Sequence, residues 1–470
     1  MSTTRLIADA DTTTALARTL AGMARPGLTI LLDGPVGAGK THFARAFIQA
    51  RQGDIAEDVP SPTFTLVQTY DDPMGTEIWH ADLYRLTDPS ELDELGLDEA
   101  AETAIRLIEW PDRLEMLPDG ALTVAMASTP DPHLRQITLH GPGAGRIAAI
   151  ARFIAATGRA GSRVVPLAGD ASARRYFRLQ GPQGRAVLMD DPSGDCAGFV
   201  QMTRWLRSHG FGAPELLAAD DAAGLLLVED LGDDLLARVL EKRPGMARAL
   251  YERITDLLVA LHRHPVPDFV RPLDGPLLAE QVGLFAAWYP QAAGAPATDA
   301  AGIGPVIARL HADLAGDLPS VLSLRDFHAE NLIWRGDTAP LGLIDYQDAV
   351  ACHPAYDLVS ALQDARRDVA PAIEAACIAR YLDATGMDAA RFRAVYALLG
   401  AQRNLRIMGI FTRLCLRDGK PRYLDFMSRV WGHLRRDLTH PALAPLARIV
   451  AALPQPDPTV LERIRAQCPR

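Results

Sequence analysis

The stretch Leu324–Asp345, LRDFHAENLIWRGDTAPLGLID, sets out most of a phosphoryl-transfer site in one short piece of chain. Asp326 and Asn331 stand in the spacing D-x-x-x-x-N, and Asp345 follows a Leu-Gly-Leu-Ile run that reads as a short buried strand. An attacking hydroxyl must lose its proton, and the charge on the transferred phosphate must be neutralised. A carboxylate, then an amide oxygen, then a second carboxylate meet those needs in the order of a kinase catalytic loop. Asp326 is therefore the candidate base, and Asn331 and Asp345 are the candidate magnesium ligands. A polar turn with unrelated acids is the alternative, but it needs neither Arg325 before the aspartate nor apolar strands on both sides.

At 470 residues the chain is expected to hold two or three domains, since a domain takes roughly 150 residues. Hydrophobic residues at 48% and charged residues at 23% are the proportions of a globular protein with sizeable cores. A formal net charge of -10 argues against a general nucleic-acid-binding surface, so any RNA contact is expected to be indirect, through a partner. The cysteines Cys196, Cys352, Cys377, Cys415 and Cys468 are odd in number and never in C-x-x-C spacing. Neither a disulfide framework nor a zinc site is expected, and a cytoplasmic setting is. No apolar run approaches the roughly 20 residues of a membrane-spanning helix, and no signal-peptide pattern follows Met1, so no membrane contact is expected.

Asp11–Ala24 reads as a capped amphipathic helix with Leu16, Leu20 and Met23 on one face. An apolar run, Leu28–Leu32, then leads into Gly34-Pro-Val-Gly-Ala-Gly-Lys40-Thr41, a complete G-x-x-x-x-G-K-[ST] loop with a helical pattern behind it. Gly34, Gly37 and Gly39 let backbone N–H groups close on phosphates, Lys40 reaches the β- and γ-phosphates, and Thr41 holds magnesium. ATP with Mg2+ is the expected ligand. Ser61-Pro-Thr-Phe64 is expected to open a strand that runs to Tyr70, and His80, Asp82 and Tyr84 follow on the next one. Glu109 ends an apolar strand, where an acid must sit to reach magnesium directly or through water.

With GPVGAGKT, SPTFTLVQTY, HADLYRL, ELGLDE and IEWP in this order, residues 1–145 resemble the TsaE ATPase family, which serves threonylcarbamoyladenosine biosynthesis in tRNA. The SPTF and H-x-DLYR pair is far more specific than the P-loop. The resemblance implies a small ATPase working with threonylcarbamoyl transferase complex subunits, TsaB- and TsaD-like proteins, on the adenosine beside the anticodon. It implies that Lys40 and Thr41 bind phosphates and magnesium, that Asp82 is a functional, catalytic acid near the nucleotide, and that Glu109 and Trp110 line the site.

Gly141-Pro-Gly-Ala-Gly145 is a glycine-rich break, and the domain boundary is expected there, between residues 1–145 and 146–470. Arg146–Ala156 reads as a helix whose apolar stripe packs on the second domain. Leu167–Leu179 reads as strand, turn and strand, followed by a strand at Arg185–Met189; Ser172, Arg174 and Arg175 are its candidate phosphate contacts. Gly224–Gly232 is a buried strand ending at Glu229 and Asp230, the expected hinge whose backbone pairs with adenine. Helical patterns dominate beyond it.

The set GDASARRYFRL, LVEDLG, RDFHAENLIW, LIDYQDAV and HPAYDLVSALQDAR is similar to the aminoglycoside phosphotransferase and choline kinase superfamily. Within it the chain resembles the AmgK type of cell-wall sugar kinase, which phosphorylates the anomeric hydroxyl of N-acetylmuramate or N-acetylglucosamine. The resemblance implies Asp326 as base, Asn331 and Asp345 as metal ligands, Asp357 as the acid that braces the catalytic loop, and His328 as a residue that shapes it. One departure matters: the third strand carries Met189 where such kinases hold a phosphate-gripping lysine, leaving Arg174, Arg175 or Arg178 as substitutes. The expected fold is α/β throughout, a P-loop parallel sheet with flanking helices followed by a two-lobed kinase-like α+β domain. The expected activities are an ATPase for tRNA modification and an amino-sugar kinase of peptidoglycan recycling. A choline, homoserine or aminoglycoside acceptor, or a nucleotide-sensing pseudokinase, is the alternative.

Overall fold

Thr29-Ile-Leu-Leu-Asp33 is apolar on both faces, as a strand covered from two sides must be, and it lies inside a seven-stranded sheet. The computed structural model describes residues 2–86, 95–167 and 174–469. The sheet runs β1 (Ser2–Ala8), β7 (Arg135–Gly141), β6 (Leu122–Ser128), β2 (Thr29–Asp33), β5 (Ile105–Glu109), β4 (Glu77–Asp82), β3 (Val67–Asp71). Pairing is parallel from β6 through β2 and β5 to β4. It is antiparallel at β3–β4, β6–β7 and β1–β7. The expected parallel sheet is present and carries antiparallel strands at its edges. Strands joined by the short turns at 72–76 and 129–134 can pair only antiparallel, because a parallel return needs a long crossover. Ser61–Leu66, expected as the start of a strand, forms turns instead, and Leu66 takes φ 62 before β3 begins at Val67.

Helix α1 (Ala10–Met23) starts on Asp9, whose carboxylate accepts from the Thr12 N–H at 2.7 Å. Helix α2 (Lys40–Gln52) follows the P-loop. The glycine-rich stretch ends β7 at Gly141 and enters helix α3 (Ala144–Ala156) within three residues. A second sheet, antiparallel throughout, has the order β11 (Leu216–Asp220), β12 (Leu225–Glu229), β10 (Gly184–Asp190), β9 (Arg175–Gly181), β8 (Arg163–Leu167).

The chain forms two compact units, residues 1–200 with 215–230, and residues 201–214 with 231–470. Both sheets belong to the first. Helix α3 serves each of them: Ile147, Ala148 and Ala151 enter the core of the seven-stranded sheet, while Ile150, Phe153 and Ile154 pack with Phe177, Leu179, Ala186 and Leu188 of the five-stranded one. The stripe expected to pack on the second domain does so and is shared with the first sheet. Helix α1 crosses close to β8, where a side chain at Gly22 would run into the Val164 carbonyl at 2.3 Å. At the rim, Arg146 of α3 donates to Asp190 of β10 at 2.5 Å, and Arg175 of β9 donates to the same carboxylate.

In the second unit, the longest helix is α4 (Ala389–Leu416), beside α5 (Met427–Asp437), and the pattern helices expected near residues 251–313 are present as Ala247–Leu261, Gly275–Ala293 and Ile303–Ala315. A two-stranded hairpin, Leu332–Ile333 with Gly342–Leu343, carries the catalytic-loop sequence. Cys415 and Cys468 form a disulfide with Cα atoms 5.3 Å apart. This corrects the expectation of none: 53 residues of separation leave no local motif, and packing of the C-terminal segment brings the two together. The other cysteines are free and buried. Among the described residues, no helix is long and apolar enough to cross a membrane.

Because α3 fills two cores, Ile154→Ala should cost about 2–5 kcal/mol and loosen the five-stranded sheet as well as α3. Faster amide exchange in β9 and β10, together with an earlier denaturant midpoint, is the expected readout.

Candidate active sites

The first site is built on the ends of three neighbouring strands. Gly34 takes φ 142 and a side chain there would meet the Met126 carbonyl at 2.3 Å, while Gly39 takes φ 109 as it opens α2. Only glycine fits this loop at those two points. Lys40 Nζ lies within the loop, donating to the carbonyls of Gly34 at 2.7 Å and Pro35 at 3.0 Å, and it sits 3.8 Å from the Trp110 ring centroid. Burial pulls the Lys40 ammonium below its ordinary range, with Glu109 and Asp82 acting against that pull. Parallel pairing sets Asp82 level with Glu109 at the strand ends. Thr41 Oγ1 donates to Glu109 Oε1 at 2.9 Å, and the fully buried His80 meets the same oxygen at 3.0 Å.

Asp82 is engaged on several sides. Its carboxylate accepts from Ser61 Oγ at 2.9 Å, Thr63 Oγ1 at 2.6 Å and the Tyr84 N–H at 3.1 Å. It holds the Ser61–Thr63 turn in place. Tyr84, half exposed, lies 4.9 Å from Trp110 between ring centroids, so it faces the site rather than a core. A cavity of about 480 Å³ opens beside the loop, with Gly34, Pro35, Trp110, Met126 and Thr138 in its wall.

The second site lies in the second unit. Asn331 Nδ2 donates to the Asp326 carbonyl at 2.8 Å and to Asp345 Oδ2 at 3.3 Å, which brings the three sequence-derived residues together. Gln347 Nε2 also reaches Asp345, at 2.9 Å. Arg325 and Asp345 adopt left-handed φ values of 70 and 59. Such strain in side-chain-bearing residues survives only where surroundings impose it. Asp357 imposes it on Arg325 from beneath: its carboxylate accepts from Ser323 Oγ at 2.7 Å, the Leu324 N–H at 2.7 Å and the Arg325 N–H at 3.0 Å. Burial raises the Asp357 carboxyl to about 6, against these hydrogen bonds. For Asp326, burial also works against ionisation, but Arg403, His328, Arg406 and Arg325 together hold its carboxyl below the ordinary value. Burial lowers the His328 ring below its ordinary value, with Asp364 and Asp326 acting against that pull.

The arginines named as lysine substitutes are each held by an acid. Arg174 Nε donates to Asp191 and Arg175 Nε to Asp190, both at 2.7 Å, while Arg178 lies 2.7 Å from Asp230. Met189 is buried between Tyr176 and Leu226 in register. Glu229 faces Glu215, its Oε2 accepting from that residue's N–H at 3.2 Å. Ser172 lies outside the described residues.

Sequence reasoning missed Arg403 and Arg406. Both come from α4, more than seventy residues beyond the loop, and Arg403 reaches Asp326 at 3.9 Å. The available signal was Gln402-Arg403-Asn404, a polar run that interrupts the apolar face of a long helix. Each site offers one carboxylate beside a hydroxyl or amide, Glu109 with Thr41 and Asp345 with Asn331. Such sparse oxygen donors suit magnesium, which keeps waters and relies on substrate phosphates for further ligands. Asn331 would turn its amide oxygen, rather than its nitrogen, toward such an ion.

Residues 7–137 match the family described as threonylcarbamoyl adenosine biosynthesis protein TsaE, and residues 163–394 match the phosphotransferase enzyme family. The chain is 40% identical over 349 residues to an N-acetylmuramate/N-acetylglucosamine kinase of Caulobacter vibrioides, spanning 64% of this chain and 94% of that protein. It is 44% identical over 101 residues to the tRNA threonylcarbamoyladenosine biosynthesis protein TsaE of Rickettsia bellii, spanning 22% of this chain and 69% of that one. With the Bacillus subtilis protein of the same name it shares 36% identity over 135 residues, 28% of this chain and 82% of that one.

Asp357 sets a pH dependence. Its carboxyl ionises near 3.8 in the unfolded chain and near about 6 when folded. Between those values the folded protein keeps a proton that the unfolded chain has lost, so stability falls as pH rises through the window. The stability gap between the unaltered protein and Asp357→Asn, measured by urea unfolding, should be wider at pH about 4 than at about 7. A gap that widens with pH instead would contradict the raised carboxyl.

Proposed function

Because the chain belongs to the TsaE family over its first part and to the phosphotransferase enzyme family over its second, we propose that it is a bifunctional enzyme. It is an ATP hydrolase and an ATP-dependent kinase. In the proposed reading the ATPase supports threonylcarbamoylation of the tRNA adenosine beside the anticodon, together with transferase-complex subunits that meet the tRNA. The kinase phosphorylates the anomeric hydroxyl of N-acetylmuramate or N-acetylglucosamine, as befits cytoplasmic recovery of cell-wall sugars. The observation that carries the kinase half is the convergence of Asp326, Asn331 and Asp345 within one hydrogen-bonded loop.

In the ATPase, Lys40 and the loop N–H groups take the β- and γ-phosphates, Thr41 and Glu109 are the metal-side oxygens, and Asp82 acts by ordering the Ser61–Thr63 turn against the site. In the kinase, Asp326 accepts the acceptor hydroxyl's proton as the new oxygen–phosphorus bond forms and the bond between the γ-phosphorus and the β-phosphate oxygen breaks. ADP then leaves with the charge. Magnesium, when bound at Asn331 and Asp345, neutralises the phosphates. Met189 in place of a lysine, with the nearby arginines tied to acids, favours one second reading, a kinase part that senses nucleotide without turnover.

Lys40→Ala in the full chain should abolish tRNA modification in cells that lack any other copy, while sugar phosphorylation persists. Survival of the modification would remove the first part from that pathway. Asp326→Asn should bind ATP with nearly unchanged affinity and lose about 10²–10⁴-fold in turnover, whereas Asp345→Asn should lose magnesium-dependent nucleotide binding as well. Phosphate transfer from labelled ATP to each sugar, with nucleotide affinity measured in parallel, decides between these outcomes. No turnover by the unaltered protein on either sugar would favour the sensing reading.

A further inference from the structure

His80 stands in a row where an apolar side chain would pack as well. Alternation along β4 puts Ile78, His80 and Asp82 on one face, and Ile78 there joins a core with Leu107 of β5 and Phe43, Ala44 and Phe47 of α2. The register sets His80 between Leu107 of β5 and Gln68 of β3. Its imidazole is fully buried. Burying a polar ring in such a layer costs free energy unless the ring is hydrogen-bonded.

Among the described residues, the His80 ring has a single hydrogen-bond partner. Nε2 meets Glu109 Oε1 at 3.0 Å, while Nδ1 is buried without a partner. The proton belongs on Nε2, since lone pairs would otherwise face each other across that distance. The ring is therefore a donor aimed at one carboxylate oxygen. Glu109 is itself almost fully enclosed, and the side-chain donors that reach it are His80 and Thr41. These two differ in stiffness. Thr41 Oγ1 lies 2.9 Å from Oε1 and 3.3 Å from Oε2, and its hydroxyl can turn between them, whereas the imidazole is fixed by the packing of β4. A hydroxyl also offered to magnesium cannot by itself determine how Glu109 points. Partners behind a metal-side acid orient it, and losing one costs about 10–100-fold in metal affinity.

We propose that His80 is a positioning residue of the ATPase, its Nε2–H fixing the Glu109 carboxylate beside Thr41 for magnesium. The assignment rests on the ATPase reading above. It concerns one donor at one place, which decides which replacements can serve. Glutamine can present its amide nitrogen where Nε2 stands, while asparagine reaches only as far as Nδ1. Leucine fills the space and offers no donor.

The test follows ADP binding by calorimetry over a range of magnesium concentrations. The full chain carries Asp345→Asn throughout, so that the second site contributes little magnesium-dependent heat, and Lys40→Ala in the same chain identifies the signal of the P-loop. His80→Leu and His80→Asn should each raise the magnesium needed for half-maximal binding by about 10–100-fold. His80→Gln should stay near the unaltered value. ADP affinity without magnesium should not move, because Lys40 and the loop N–H groups are untouched. Thermal unfolding checks that each variant is folded, and if His80→Leu is not, the contrast between glutamine and asparagine decides. An unchanged magnesium dependence in His80→Leu or His80→Asn would overturn the assignment. Equal losses in all three variants would do so too, as the pattern of a packing residue. If Lys40→Ala removes no binding, the ATPase reading itself fails and the role of His80 falls with it.

Discussion

A sheet with one apolar face must cover it, and in this chain the cover comes from helix α3. Ile150, Phe153 and Ile154 close the five-stranded sheet, while Ile147, Ala148 and Ala151 of the same helix close the seven-stranded one. The phosphate-binding loop and the small kinase sheet therefore share a structural wall. This is why the first compact unit runs well past the glycine-rich stretch and takes in β8 to β12. A helix with two apolar faces cannot be exposed on either without losing burial worth about 25 cal/mol per Å². The ion pairs of Asp190 with Arg146 and Arg175 then fix where α3 meets the end of β10.

The catalytic loop follows a different constraint, the burial of one charge. Asp357 is fully buried, and its cost is offset by three hydrogen bonds to the backbone and side chain just before Asp326. Those bonds hold Arg325 in a left-handed conformation that an isolated peptide would leave. Asp326 follows this left-handed residue, which the buried Asp357 holds from below. In the first unit the corresponding device is the level pairing of Asp82 with Glu109, which sets one carboxylate on the turn and the other on Thr41.

Both sites gather their residues from strand ends and hairpins, where side chains leave a rigid scaffold. What differs is the charge around them. The first site balances Lys40 against Glu109, Asp82 and Asp33. The second sets arginines around the partly buried carboxylate of Asp326.

The local chemistry was determined by sequence alone. That Gly34 to Thr41, Asp82 with Glu109, and Asp326 with Asn331 and Asp345 lie together is legible because spacing along a loop or the end of a strand fixes which groups come close. Helices and strands with a clear period were legible for the same local reason. The tertiary structure alone decided the rest. The antiparallel sheet edges follow from turn lengths and strand pairing, and the sharing of α3 depends on which face each sheet leaves uncovered. The bond between Cys415 and Cys468 depends on the docking of the C-terminal segment. Arg403 and Arg406 reach Asp326 across more than seventy residues of chain, because α4 lies against the catalytic loop. No periodicity encodes such a meeting: it arises only when burial of many apolar residues at once fixes one helix beside another.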